Sequence, residues 1–242
     1  TLVNGSHRKV NLDNDQHVTV HQGGTSVEAN WTLPSDFTLT SVSSYRFWNF
    51  TPRNDDGLNV PATYNAGVSV EDKQYSQEFR LASPKGEFFD YVLGAYYFGS
   101  DLDNKSFAYY GPQADIWNGT PRGALANVNS VGRGHIKTDS FALFAQGTWH
   151  LTPRLDFTAG VRGTYEEKNA WVNRDAPVGG AAVTGAAATA RRGRTGAYDS
   201  GDLNQYSSSP SGLLNLSYRF TDDLLGYATL SHGEKSGGVN LV

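Results

Sequence analysis

The stretch Leu155-Asp156-Phe157-Thr158-Ala159-Gly160-Val161-Arg162-Gly163-Thr164-Tyr165-Glu166 decides how this chain folds. Leu155, Phe157, Ala159, Val161, Gly163 and Tyr165 fall on one face of an extended strand; Asp156, Thr158, Gly160, Arg162, Thr164 and Glu166 fall on the other. Successive side chains of a strand point to opposite faces, so this period of two describes a ribbon with one apolar and one wet face. The preceding stretch repeats it. Phe141, Leu143, Ala145, Gly147, Trp149 and Leu151 oppose Ser140, Ala142, Phe144, Gln146, Thr148 and His150. Only Thr152-Pro153-Arg154 lies between the two, so they close as a hairpin.

The same unit recurs on both sides. Residues 25–33 and 37–50 flank Pro34-Ser35-Asp36, residues 72–82 and 88–99 flank Ser83-Pro84-Lys85-Gly86-Glu87, and residues 211–220 and 224–235 flank Thr221-Asp222-Asp223. These turns are built of residues that preset or tolerate turn dihedrals. The connections at the other end, 51–71, 101–137 and 172–206, are long, about 20 to 37 residues, where compact domains favour short ones. Strict alternation puts all the long loops at one end of the sheet, the asymmetry of outer-membrane barrels. Several strands exceed the roughly 5–6 residues common in globular proteins and suit a crossing of about 9–11. Trp31, Trp48, Phe50, Phe88, Phe89, Tyr96, Tyr97, Trp149, Trp171, Tyr218 and Phe220 gather toward strand ends, as interfacial girdles do. A soluble β-sandwich is the competing architecture, and it leaves the one-sided loops unexplained. The expected fold is all-β, an antiparallel transmembrane β-barrel of which this stretch holds about eight strands. The Gly/Ala-rich run 178–190 is expected to be a flexible loop rather than a helix.

Composition agrees. The chain has 242 residues, a net charge of −4 and a mean hydropathy of −0.48. A barrel hides its hydrophobicity in alternate residues, so a polar average does not argue against a membrane. No run of about 18 apolar residues offers a transmembrane helix. The near-balanced charge gives no reason to expect nucleic-acid binding, and Arg191-Arg192-Gly193-Arg194, without interleaved aromatics, reads as a solvated loop. The absence of Cys removes thiol nucleophiles, thiolate metal sites and disulfides. With no Met and no signal peptide visible, Thr1 is not expected to be the translated start.

With the hairpins placed, several stretches resemble the TonB-dependent outer-membrane receptors. Ser76-Gln77-Glu78-Phe79-Arg80-Leu81-Ala82-Ser83 is similar to that family's S-Q-E-x-R-L-A-S strand. Residues 227–240, Y-A-T-L-S-H-G-E-K-S-G-G-V-N, are similar to its Y-A-[ST]-x-S-x-G-x-K-S-G-G-x-N segment, with His232 and Glu234 departing from the expected Arg and aromatic. Phe141–Gln146, Leu155–Arg162 and Thr40–Arg46 resemble further strands of the same barrel, most closely in the group common in sphingomonads and caulobacters. The resemblance implies that residues 1–242 are part of one barrel domain of about 22 strands, with the plug domain, the TonB box and the C-terminal strands lying outside this stretch. It implies uptake of a scarce solute such as a ferric siderophore, haem, cobalamin or an oligosaccharide, driven by TonB–ExbB–ExbD acting through the plug. Outer-membrane lipid, lipopolysaccharide and a surface lipoprotein are the further partners it implies, with no resident cofactor. The alternatives are a passive porin or structural barrel and, third, a barrel enzyme.

No catalytic constellation supports the enzyme. His7, His17, His21, His135, His150 and His232 are scattered. His17 and His21 would lie on one strand face about 13 Å apart, too far to share a metal. Asp13-Asn14-Asp15, Asn54-Asp55-Asp56-Gly57 and Asp101-Leu102-Asp103-Asn104 offer hard oxygens but lack EF-hand spacing, so they read as solvated loop residues and no metal is expected. The wet faces place Glu78, Arg80, Asp156, Arg162, Glu166 and Arg219 toward a lumen. Solute contacts are expected in the outer loops, at Tyr109, Tyr110, Trp117, Arg191, Arg192 and Arg194.

Overall fold

The computed structural model describes residues 16–54 and 62–241. The chain runs through β1 (His17–Thr32), a 3-10 turn (Pro34–Asp36), β2 (Thr38–Arg53), β3 (Thr63–Ala82), β4 (Phe89–Tyr110) and α1 (Ala114–Asn118). It continues through β5 (Val128–Thr152), β6 (Leu155–Arg174), β7 (Val178–Gly179), α2 (Gly185–Thr195), β8 (Tyr198–Asp199), β9 (Leu203–Thr221) and β10 (Leu224–His232). The long strands form one antiparallel sheet in the order β1-β2-β3-β4-β5-β6-β9-β10, with β7 paired to β5 and β8 to β6. Every long strand lies beside its neighbour in sequence, the meander that tight hairpins impose. At the first of them Ser35 and Asp36 both adopt a left-handed φ of 62°, which matches the right-handed twist of the flanking strands.

The register preserves the alternation across strands. Phe89 pairs with Trp149 and Trp149 with Phe157; Tyr97 pairs with Phe141 and Phe141 with Tyr165. Ring centroids lie 4.8 Å apart in Phe89–Trp149, 5.7 Å in Trp149–Phe157 and 4.9 Å in Tyr97–Phe141. Phe157 and Tyr165 are 8 positions apart (165 − 157) on β6, roughly 26 Å of strand. Tilted about 35–45° as barrel strands are, that length rises roughly 19–22 Å, most of an apolar band about 25 Å tall, with aromatic rings at each end of it.

Burial separates this sheet from a sandwich. Leu143, Val161 and Leu230 are 71%, 67% and 73% exposed, on strands whose opposite face is polar. A sandwich would cover these side chains with a second sheet; here the apolar face has no protein on it, as a lipid-facing wall requires. Polar groups on that face bond one another, as Gln77 does by donating to Ser41 at 2.9 Å and accepting from Ser43 at 2.5 Å.

The other face is a hydrogen-bonded network. Ser44 pairs with Ser76 at 2.7 Å, Thr148 with Thr158 at 2.9 Å, and Asn215 donates to Thr229 at 2.7 Å. His150 bridges three strands, its Nδ1 at 2.7 Å from Asp156 and its Nε2 at 3.0 Å from Asp90. Phe144 lies opposite Gly94, and a Cβ on Gly94 would sit 2.1 Å from its ring, so only glycine lets the ring lie flat on the strand. The Arg162 guanidinium caps that ring and Tyr96, at 5.8 Å and 5.3 Å from their centroids.

Three expectations need correction. The strands run well into 51–71, 101–137 and 172–206: β2 reaches Arg53, β4 reaches Tyr110, and β5 begins at Val128. At 25 residues β5 spans roughly 80 Å, far more than the hydrocarbon core of about 30 Å needs. Beyond the membrane both faces are wet, so the alternation fades while the backbone ladder continues through polar pairs such as Asp101–Lys137. Second, residues 185–195 form helix α2 rather than a flexible loop; its alanines favour helix, and Arg192 and Arg194 complement the dipole in its last turn. Third, β10 ends at His232, so the segment expected as strand to 235 leaves the sheet early.

Candidate functional site: the outer loop cap

The two longest connections between the long described strands, 111–127 and 175–202, fold onto each other. Ala114, Ala124 and Leu125 are fully buried, and Tyr110, Ala187 and Ala190 pack against them. Alanines one turn apart on α2 thus supply the apolar stripe that covers the first loop. Arg191 Nε donates to the Ala124 carbonyl at 2.8 Å, and its Nη2 donates to that of Gly123. The first loop is tied internally by Asp115. Its carboxylate accepts the Leu125 N–H at 2.7 Å, the Gly123 N–H at 2.7 Å and the Thr120 hydroxyl at 2.9 Å. Burial pushes the Asp115 carboxyl up, but these donors outweigh it and hold the group below the ordinary carboxylate value.

A depressed folded pKa gives stability that is present above the unfolded value and lost as pH falls through the folded one. Acidification should therefore lower the amide protection factors in 111–127, taken relative to the intrinsic exchange rate at each pH, before it affects those of the barrel strands. Asp115→Ala should do the same at neutral pH, by an opening cost lowered by about 1–3 kcal/mol, read by hydrogen exchange. Unchanged exchange in the variant would contradict the role given to this carboxylate.

Against this cap the expected solute contacts divide. Tyr109 and Tyr110 are the last residues of β4 rather than loop residues, since the ladder continues past the membrane. Tyr109 stands beside Phe107, with centroids 5.8 Å apart, while Tyr110 packs on the loop core. Trp117 sits on α1, 51% exposed beside an exposed Ile116. Arg191 is a structural tie rather than a free cation, whereas Arg192 and Arg194 are exposed on α2. Leu125, Asp115 and Ile116 were not legible as cap residues; Asn118-Gly119, which ends α1 in a left-handed cap, was the one local signal.

Glu78, Arg80, Asp156, Arg162, Glu166 and Arg219 all fall on the polar face. Arg80, Gly94, Phe144 and Arg162 form one cross-strand row. Glu78 and Arg80 pair at 3.0 Å. On the opposite face, above the aromatic girdle, His135 Nδ1 lies 3.0 Å from Asp103 and 3.8 Å from Asp101. These ligand-type atoms lie within 4.8 Å of one another, but the acids are exposed and Lys137 stands opposite Asp101 in register. Asp13-Asn14-Asp15 and Asp55-Asp56-Gly57 lie outside the described residues. A groove bounded by Phe79, Phe141, Leu143 and Tyr165 opens on the apolar face, away from the cap.

Residues 3–241 match the family model described as TonB dependent receptor-like, beta-barrel. The chain belongs to the TonB-dependent receptor family. Receptors of this family reside in the outer membrane, and among the described residues no helix is long and apolar enough to cross a membrane. The fold is similar to that of the ferric yersiniabactin uptake receptor FyuA from Yersinia pestis, at 18% identity and a TM-score of 0.66 over 94% of this chain and 30% of that one. It is also similar to the ferric-catecholate import receptor Fiu from E. coli K12 in its open form, at 15% identity and a TM-score of 0.64 over 93% of this chain and 37% of that one. The receptor chain thus spans about a third of the length of these two solved structures.

Proposed function

We propose that this chain forms wall and outer loops of a receptor that takes up a scarce solute across the outer membrane with TonB-coupled energy. The observation that carries the reading is the two-faced sheet, bare and apolar on one side, with charged and hydrogen-bonded groups on the other. Glu78, Arg80, Asp156, Arg162, Glu166 and Arg219 then line the lumen, where they bond a plug or one another. TonB–ExbB–ExbD acts through that plug, residues 1–242 contribute to a single barrel domain, and lipopolysaccharide and a surface lipoprotein meet its exterior.

Ferric chelates are the favoured solute class, because two proteins of this fold carry ferric yersiniabactin uptake and ferric-catecholate import in their names. The cap has the chemistry to receive them. Trp117 and Ile116 offer an apolar, partly aromatic surface, and Arg192 and Arg194 offer exposed cations suited to anionic chelates. Alanine at Trp117, Arg192 and Arg194 in the full receptor should reduce binding of a ferric-catecholate probe at least tenfold, since exposed aromatics and arginines dominate binding energy. The barrel fold should be unchanged by circular dichroism. Unchanged affinity would overturn the assignment of these residues.

A further inference from the structure

The most specific motif of the sequence ends outside the sheet. After His232, residues 233–241 turn back over the polar face and cross three strands. At β9 the segment meets Gln205, whose Nε2 would lie 2.0 Å from a Cβ on Gly237. At β6, Lys168 Nζ donates to Ser236 Oγ at 2.8 Å and to the Gly237 carbonyl at 2.7 Å. The Ser236 hydroxyl in turn donates to Glu166, which also pairs with Lys168. At β5, Leu241 is 8% exposed and packs where a Cβ on Gly134 would meet it at 2.9 Å. Gln205 pairs with Lys168, so these contacts lie at the loop end of the wall, on the side that carries Arg162 and Glu78.

The chemistry of the motif follows from this path. Ser236 and Gly237 let the backbone lie against the sheet, while a Cβ on Gly238 would meet only open space. Gly237 on the segment and Gly134 on β5 sit where a side chain would strike Gln205 and Leu241 respectively. The pair Glu166–Lys168 is 18% and 17% exposed, and its spare donors and acceptors are used on the segment. Hydrogen bonds to charged groups are stronger than neutral ones, so this is the fastening.

We propose that residues 233–241 are a strap across the loop end of the lumen, latched by Glu166 and Lys168, that limits the size of what passes along this wall. The inference rests on the polar face being the lumen. Releasing the latch frees the strap to swing from the wall and widens the path to groups beneath it, such as Ser209, which stands one polar-face step below the Glu166–Ser207 pair.

The test uses the full receptor in outer membranes with Ser209→Cys as reporter; this stretch has no cysteine of its own. A bulky polyethylene-glycol maleimide applied from outside should react slowly, and at least about tenfold faster when Lys168→Met is added, the effect expected from losing charged hydrogen bonds. N-ethylmaleimide should react at similar rates in both, and Lys168→Arg should restore protection. An equal bulky-probe rate with and without Lys168→Met, in receptor that remains folded, overturns the strap. Reaction of Ser209→Cys only with lipid-soluble maleimide would instead overturn the assignment of the polar face to the lumen.

Discussion

Val161→Arg should remove the receptor from the outer membrane. Val161 lies on the apolar face near the middle of the span between Phe157 and Tyr165, with its side chain 67% exposed to whatever surrounds the sheet. If that surround is lipid, an Arg at mid-depth costs about 2–4 kcal/mol in a transmembrane barrel. Added to the modest stability of a folded chain, such a cost shifts assembly toward degradation. Gln146→Arg is the matched control. Gln146 neighbours Ala145, the register partner of Val161, but points to the polar face. It should assemble at close to the native level, measured by heat-modifiable mobility of the folded barrel in outer-membrane fractions. Equal assembly of the two variants would mean that the bare apolar face does not meet lipid.

Leu125→Asp should abolish solute binding while leaving the barrel intact. Leu125 has no exposure, and the loop core around it consists of Ala114 and Ala124 with Tyr110, Ala187 and Ala190. An aspartate there loses the packing and buries a charge with no partner. It would also put a second carboxylate on the residue whose N–H Asp115 already accepts. The combined cost should exceed about 3 kcal/mol, enough to undock 111–127 from α2 and scatter Trp117 relative to Arg192. Strand content by circular dichroism should stay native, amide protection in α2 should fall, and ferric-catecholate binding should be lost. Native affinity in a variant with deprotected α2 would show that the cap does not organise binding.

The contrast between these two predictions reflects what the sequence could reveal. Inside the membrane each residue must choose between lipid and water, so alternation is enforced and strands such as 155–166 can be read directly. Above the girdle that choice disappears. Asp101, Asp103, Lys137 and His135 form a regular ladder that resembles a polar loop when only its letters are read. The helix at 185–195 was hidden for a related reason: its covered stripe is alanine and its partner is another loop, so neither strong amphipathicity nor a turn signal marked it. Arg191 looked like a free cation because nothing in its neighbours announces the Gly123 and Ala124 carbonyls it reaches across the cap. The strap was legible as a motif but not as a shape, since its fastening at Lys168 lies 68 residues away.

Uptake with and without the energy source tests the central proposal most directly. Cells expressing the full receptor should accumulate a radiolabelled ferric catecholate, and deletion of tonB should bring accumulation to the level of cells lacking the receptor. Accumulation that needs the receptor but persists undiminished without TonB would contradict the account and mark this wall as part of a passive pore.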